Sequence, residues 1–130
     1  MRLLLAFALA ALQSCLSTAP PEREVLSRLV HVVAFTLEEG GAEGRDEALE
    51  LVRDLSRDLA PIPGIVRLHA GVRDPRFRRP SNLQDFDVLL IVEFTDKDAH
   101  DAYLIDPRHR AVVDAWTPRL RGIRVLDAAR

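Results

Sequence analysis

The stretch LVHVVAFTL, Leu29 to Leu37, is apolar at both alternating sets of positions, with His31 the one strongly polar interruption. A strand with one wet face alternates apolar and polar residues; this one must be covered on both faces, which places it inside a sheet. FDVLLIVEF, Phe86 to Phe94, has the same character and is the natural second central strand. IVRLHAGV, Ile65 to Val72, instead alternates, with Arg67 and His69 set between apolar neighbours, and reads as half exposed. GIRVLDAA, Gly122 to Ala129, closes the chain as a fourth strand.

The segments between the strands read as helices. Ala48, Leu51, Val52, Leu55 and Leu59 recur at helical spacing over Arg45 to Ala60, Asp46 and Glu47 suit a helix N-terminus, and PIPG stops the helix. Thr95-Asp96-Lys97-Asp98 fits a cap with an acid three residues on, and predicts a short helix to about Ile105. Asp106-Pro107 restarts a helix, since Asp caps well and Pro suits the first helical position; Pro118 ends it. The order βαβ-βααβ predicts an α+β fold of the ferredoxin-like split βαβ kind, an antiparallel four-stranded sheet with its helices on one face. In that topology the first and third strands are central, in agreement with their two-sided apolar pattern. Helices on one face leave Val30, Val32, Ala34, Leu89 and Ile91 bare on the other, so a homodimer packed sheet to sheet is expected.

The N-terminus stands apart from this domain. Arg2 precedes LLLAFALAAL, long enough for a signal-peptide core and too short to span a bilayer. The run ends at Leu12-Gln13-Ser14-Cys15, which resembles the lipobox of bacterial lipoproteins, and Cys15 has no second cysteine to pair with. The expected organisation is a leader over 1–14, Cys15 as a lipidated mature N-terminus, a polar linker over 15–25 and one domain over 26–130. The protein is expected to be exported and to meet a membrane only through its lipid anchor, with cleavage after Ala19 and plain secretion as the alternative.

Eighteen basic against 20 acidic residues, a formal charge of -2, give no basic face for nucleic acid. There is no glycine-rich phosphate loop, and the cysteine lies outside the domain, so nucleotide and thiol chemistry find no support. The four histidines, His31, His69, His100 and His109, show no close ligand spacing, and neither a metal nor another cofactor is expected. The arginines of RDPRFRRPSN read as a solvated loop, with an anion-gathering mouth as the alternative.

HVVAFTL, IPGI, LLIVEF and AYLIDPRHRAVVDAW together resemble the stress-responsive A/B barrel domain family over nearly all of Leu29 to Asp127. The first-strand histidine and the Tyr...Pro-x-His segment are the most specific part. The resemblance implies a dimeric α/β barrel, in most members without established activity. It is also similar to the family's polyketide cyclases, in which a tyrosine and a histidine matching Tyr103 and His109 catalyse an aldol ring closure; His31 matches their first-strand histidine. Asp106 stands where those cyclases have a further histidine, and Val88 where a pocket histidine lies. Strand one lacks the asparagine typical of haem-degrading monooxygenases of the same architecture.

His109, Val112, Val113 and Trp116 share one helical stripe, and Tyr103 shares another with Ala99 and Ala102, so both groups point toward the His31, Val33 and Phe35 face of the first strand. The pocket expected there is lined by Val33, Phe35, Val88 and Trp116. In one reading His109 is a base, Tyr103 donates to the oxygen on which charge develops, and His31 orients a substrate. In the other, His109 satisfies a helix-terminal carbonyl, Tyr103 hydrogen-bonds to it and Trp116 fills the core. The expectation is a non-catalytic dimeric barrel that binds a small apolar ligand. The alternative is a cofactor-independent enzyme of polyketide-cyclase or monooxygenase type. An open cavity reaching both side chains favours the enzyme, a filled core the binder.

Overall fold

A computed structural model describes residues 28–129. The leader, Cys15, the whole of the linker and the ends of the expected domain lie outside the described residues. The elements follow the expected order: β1 (Leu29–Leu37), α1 (Arg45–Asp54), β2 (Ile65–Val72), β3 (Val88–Phe94), α2 (Lys97–Ile105), α3 (Pro107–Trp116) and β4 (Leu120–Ala129). They form a four-stranded antiparallel sheet in the order β2-β3-β1-β4, with β1 and β3 central. The fold is therefore the α+β ferredoxin-like one that the pattern of apolar strands predicts.

Local chemistry departs from the simplest reading in two places. The Leu51, Leu55 and Leu59 stripe stays buried, but Leu55–Leu59 widens into a π-helical turn. At α2 the cap is Asp96 rather than Thr95: the Asp96 carboxylate accepts from the Ala99 amide at 2.8 Å. A carboxylate at the positive end of a helix gains from charge as well as from the hydrogen bond. Asp106 caps α3 as expected, accepting from the Arg108 amide at 2.8 Å, with Pro107 opening the helix.

One sheet face packs under the helices. Leu37, Val88, Leu90, Val92 and Phe94 meet Leu51, Leu55, Leu59, Tyr103 and Trp116 in one core. The register pairs Val32 with Ile91 and Leu126 on the opposite face, where Ile91 is 37% and Leu126 60% exposed. Val30, Val32 and Leu89 on that face are half-buried. Ala34 departs from expectation and is buried within the single chain. Its methyl is too short to rise past its cross-strand partners Leu89 and Arg124, and the Arg124 guanidinium is held by Asp85 at 2.8 Å.

Candidate functional site

β1 presents His31, Val33 and Phe35 to the helices, and all three are buried. Antiparallel pairing sets Asp127, Val125 and Ile123 of β4 directly beside them. No helix covers β4 completely, so Ile123 and Val125 remain 47% and 51% exposed although they lie on the core face. Between this uncovered strip and α3 a cavity of about 230 Å³ opens, reaching His31, Tyr103, His109 and Trp116. An apolar cavity of about 150 Å³ suffices for benzene, so this one has room for a substituted ring.

Tyr103 is buried at the end of α2, and the Tyr103 and His109 rings lie with centroids 4.3 Å apart. They pack without a hydrogen bond to each other. His109 Nδ1 instead donates to the Leu104 carbonyl at 3.3 Å. That carbonyl belongs to the last turn of α2, where helical partners run out. A carbonyl only accepts, so Nδ1 carries the proton and Nε2 keeps its lone pair. Burial lowers the His109 pKa below its ordinary value, the Leu104 bond partly offsets this, and the neighbouring His31 lowers it further. Burial also pushes the Tyr103 hydroxyl well above the usual phenol range, so it stays protonated. The Arg108 guanidinium, hydrogen-bonded to Asp106, holds that capping carboxyl down at about 2, so α3 starts on a fixed negative charge.

Of the expected pocket residues, Val33, Phe35 and Trp116 line the cavity and Val88 does not. Val88 pairs with Phe35 on the side away from β4, where core side chains cover it completely; Leu90, opposite Val33, is the β3 residue in the wall. Trp116 is more than filler: its Nε1 donates to Asp54 at 3.1 Å, and the Arg119 guanidinium stacks 3.8 Å above the ring. Three of the four loop arginines are engaged locally, Arg73 on the Phe86 carbonyl, Arg76 on Asp74 and Arg78 on the Pro75 carbonyl, and none of the four lines the cavity.

One residue escaped the sequence reading, and a second, His100, was weighed as a ligand and set aside. Asp127 holds His31, its Oδ1 accepting from His31 Nδ1 at 2.6 Å. Its position on the inward set of β4, in phase with Ile123 and Val125, was the available signal. His100 brings its ring to 5.0 Å from that of His31, centroid to centroid. His31, His100 and Asp127 thus offer three metal-ligating atoms within 4.8 Å of one another, although the sequence spacing pointed away from any metal. His69 stays apart, exposed on the opposite face of β2.

Comparison with known proteins agrees with this architecture. The chain is similar to a Dabb family protein of ferredoxin-like fold from Mesorhizobium loti, at 24% identity and a TM-score of 0.61, covering 78% of this chain and 95% of that one. A dimeric ferredoxin-like protein of unknown function from Jannaschia sp. matches at 29% identity and a TM-score of 0.56, covering 78% and 97%. SnoaB, a cofactor-independent oxygenase from Streptomyces nogalater, shares the fold at 19% identity and a TM-score of 0.59, covering 78% and 91%. No curated protein sequence matches the chain. The model of the stress responsive A/B barrel domain matches residues 29–129, well over half of the chain, and the protein belongs to that family.

Proposed function

We propose that this chain binds a small, largely apolar carbonyl or phenol compound in the cavity beneath β4 and moves a proton on it with its own side chains. The observation that carries the reading is a solvent-open cavity lined by both His109 and Tyr103. His109, with its proton fixed on Nδ1 by the Leu104 carbonyl, takes a proton from an acidic carbon or hydroxyl through Nε2. Tyr103, kept protonated by burial, donates to the oxygen on which charge develops. His31, oriented by Asp127, sits on the wall of the same cavity and positions the ligand. The working form is a homodimer joined through the open sheet face, a reading supported by the dimeric Jannaschia protein and by the exposed Ile91 and Leu126. The leader and Cys15 support an exported, membrane-anchored lipoprotein; mass spectrometry showing an unmodified Cys15 in membrane fractions would remove that part.

A second reading, a binder without catalysis, is favoured by the Leu104 contact, which already gives His109 a structural task. One experiment separates the two. Trp116, the single tryptophan, lines the cavity and reports occupancy by its fluorescence. Aryl ketones and phenols should quench it, and NMR should show deuterium entering the α-carbon of a bound aryl ketone faster than in buffer. His109→Gln should abolish the exchange and keep the quenching. Quenching without exchange in the unaltered protein leaves only the binder, and no quenching removes both readings.

A further inference from the structure

At the edge of the cavity, sharing only His31 with its wall, a second group of side chains has chemistry of its own. His31 comes from β1, Asp127 from β4 and His100 from α2, and their ligating atoms lie within 4.8 Å of one another. His31 and Asp127 satisfy each other at 2.6 Å. His100 is different: its Nε2 is buried and, among the described residues, has no hydrogen-bond partner. A buried imidazole nitrogen without a partner costs free energy unless something fills its lone pair. The other nitrogen, Nδ1, lies 3.5 Å from Asp101 Oδ1, which draws the ring proton to that side. A carboxylate on one imidazole nitrogen and an open lone pair on the other is the usual preparation of a histidine for a metal ion.

We propose that His31, His100 and Asp127 bind one divalent first-row transition cation of the zinc class. Two imidazoles and one carboxylate form a borderline donor set that suits Zn²⁺ or Co²⁺ better than Mg²⁺ or Ca²⁺, which prefer oxygen. Tetrahedral Zn²⁺ sets its ligand atoms about 3.4 Å apart, so closure from the present spacing takes a side-chain adjustment rather than a change of fold. The ion displaces the proton that His31 and Asp127 now share, and three protein ligands leave a fourth position for water. Because the ligands come from three separate elements, binding ties α2 to the edge of the sheet and stabilises the folded chain. His31 is common to both proposals, but His100 and Asp127 line no part of the cavity, so the cation site is tested apart from the proton transfer.

The test uses the full chain carrying Cys15→Ser, which removes a competing thiolate, after treatment with a chelator. Calorimetric titration with Zn²⁺ should show one ion per chain with micromolar or tighter affinity. Co²⁺ should give the visible absorption of a low-coordinate site. His100→Gln and Asp127→Asn should each weaken binding at least about tenfold and cancel the Zn²⁺-dependent rise in Tm, while His69→Gln binds as the parent does. Circular dichroism establishes that each variant is folded; should His100→Gln not fold, Asp127→Asn, at an exposed strand edge, carries the test. An absence of saturable binding, or unchanged affinity in the folded variants, overturns the site. Quenching of Trp116 by aryl ketones should persist in His100→Gln, so the two proposals fail separately.

Discussion

The Tyr103 and His109 rings lie 4.3 Å apart while the His109 proton points elsewhere, to the Leu104 carbonyl. The pair is thus joined by packing rather than by a hydrogen bond, and each polar group has its protonation state set by burial. Burial thus leaves both groups neutral near neutral pH, the state in which the proposed reading uses His109 as the base and Tyr103 as a hydrogen-bond donor.

The pH dependence of stability follows from this burial. The folded pKa of His109 is lowered from its ordinary value of 6.5, so between the two values the unfolded chain binds more protons than the folded one. The stability that His109 contributes is therefore present above about pH 6.5 and is lost as pH falls toward the folded value. Urea midpoints of the unaltered protein should drop between pH 7.5 and 5.5 by more than those of His109→Gln. Equal drops would mean that His109 does not titrate below its unfolded value, and NMR titration of its ring would show this directly.

Gly64 provides a backbone test. It adopts φ +87°, and a Cβ there would meet the Ala99 Cβ at 2.5 Å. Two separate penalties are expected of Gly64→Ala, about 1–2 kcal/mol for the left-handed backbone and a comparable term for the clash between the PIPG turn and α2. Adding Ala99→Gly should recover the clash term alone, apart from the helix-propensity cost of the new glycine. Chemical denaturation of the two single variants and the double variant measures the coupling; strict additivity would mean that the turn and helix do not touch as described.

The sheet was legible because its signal is local: two strands apolar on both faces can only be central ones, and β1 and β3 are central. The Tyr103 and His109 cavity was partly legible, since helical stripes give the inward direction of each side chain. Val88 was misplaced because facing inward is not the same as facing the cavity; that depends on which part of the sheet the helices leave uncovered. Asp127 was missed, and His100 was set aside as a ligand, for a related reason. Ligand spacing along the sequence is informative only within one element, whereas His31 meets Asp127 through a strand register and His100 through the docking of α2.

Arg119 tests the outer support of the cavity. Its guanidinium stacks 3.8 Å over Trp116 and reaches Glu47 at 2.6 Å and Glu50 at 2.9 Å, both on α1. A partly exposed cation on an indole contributes about 0.5–1 kcal/mol, and exposed ion pairs add about as much together. Arg119→Ala should destabilise the fold by about 1–2 kcal/mol and change the fluorescence of Trp116. Arg119→Lys should recover part of the charge term but not the stacking. A destabilisation that vanishes in high salt would assign the effect to the carboxylates rather than to the ring.

The open sheet face bears on assembly. Ile91 and Leu126 are cross-strand neighbours of Val32 on either side, so they form one continuous apolar strip with it across β3, β1 and β4. Neither supports the core from that side, and Ile91→Lys should therefore leave the fold intact while placing a desolvated charge in any sheet-to-sheet contact. Such a charge costs several kcal/mol when buried without a partner, enough to dissociate a dimer at micromolar concentration. Light scattering should give a dimer for the unaltered chain and a monomer for Ile91→Lys, with unchanged circular dichroism. If the variant remains dimeric, the copies meet through another surface. A monomeric parent would leave this strip free to meet a different partner.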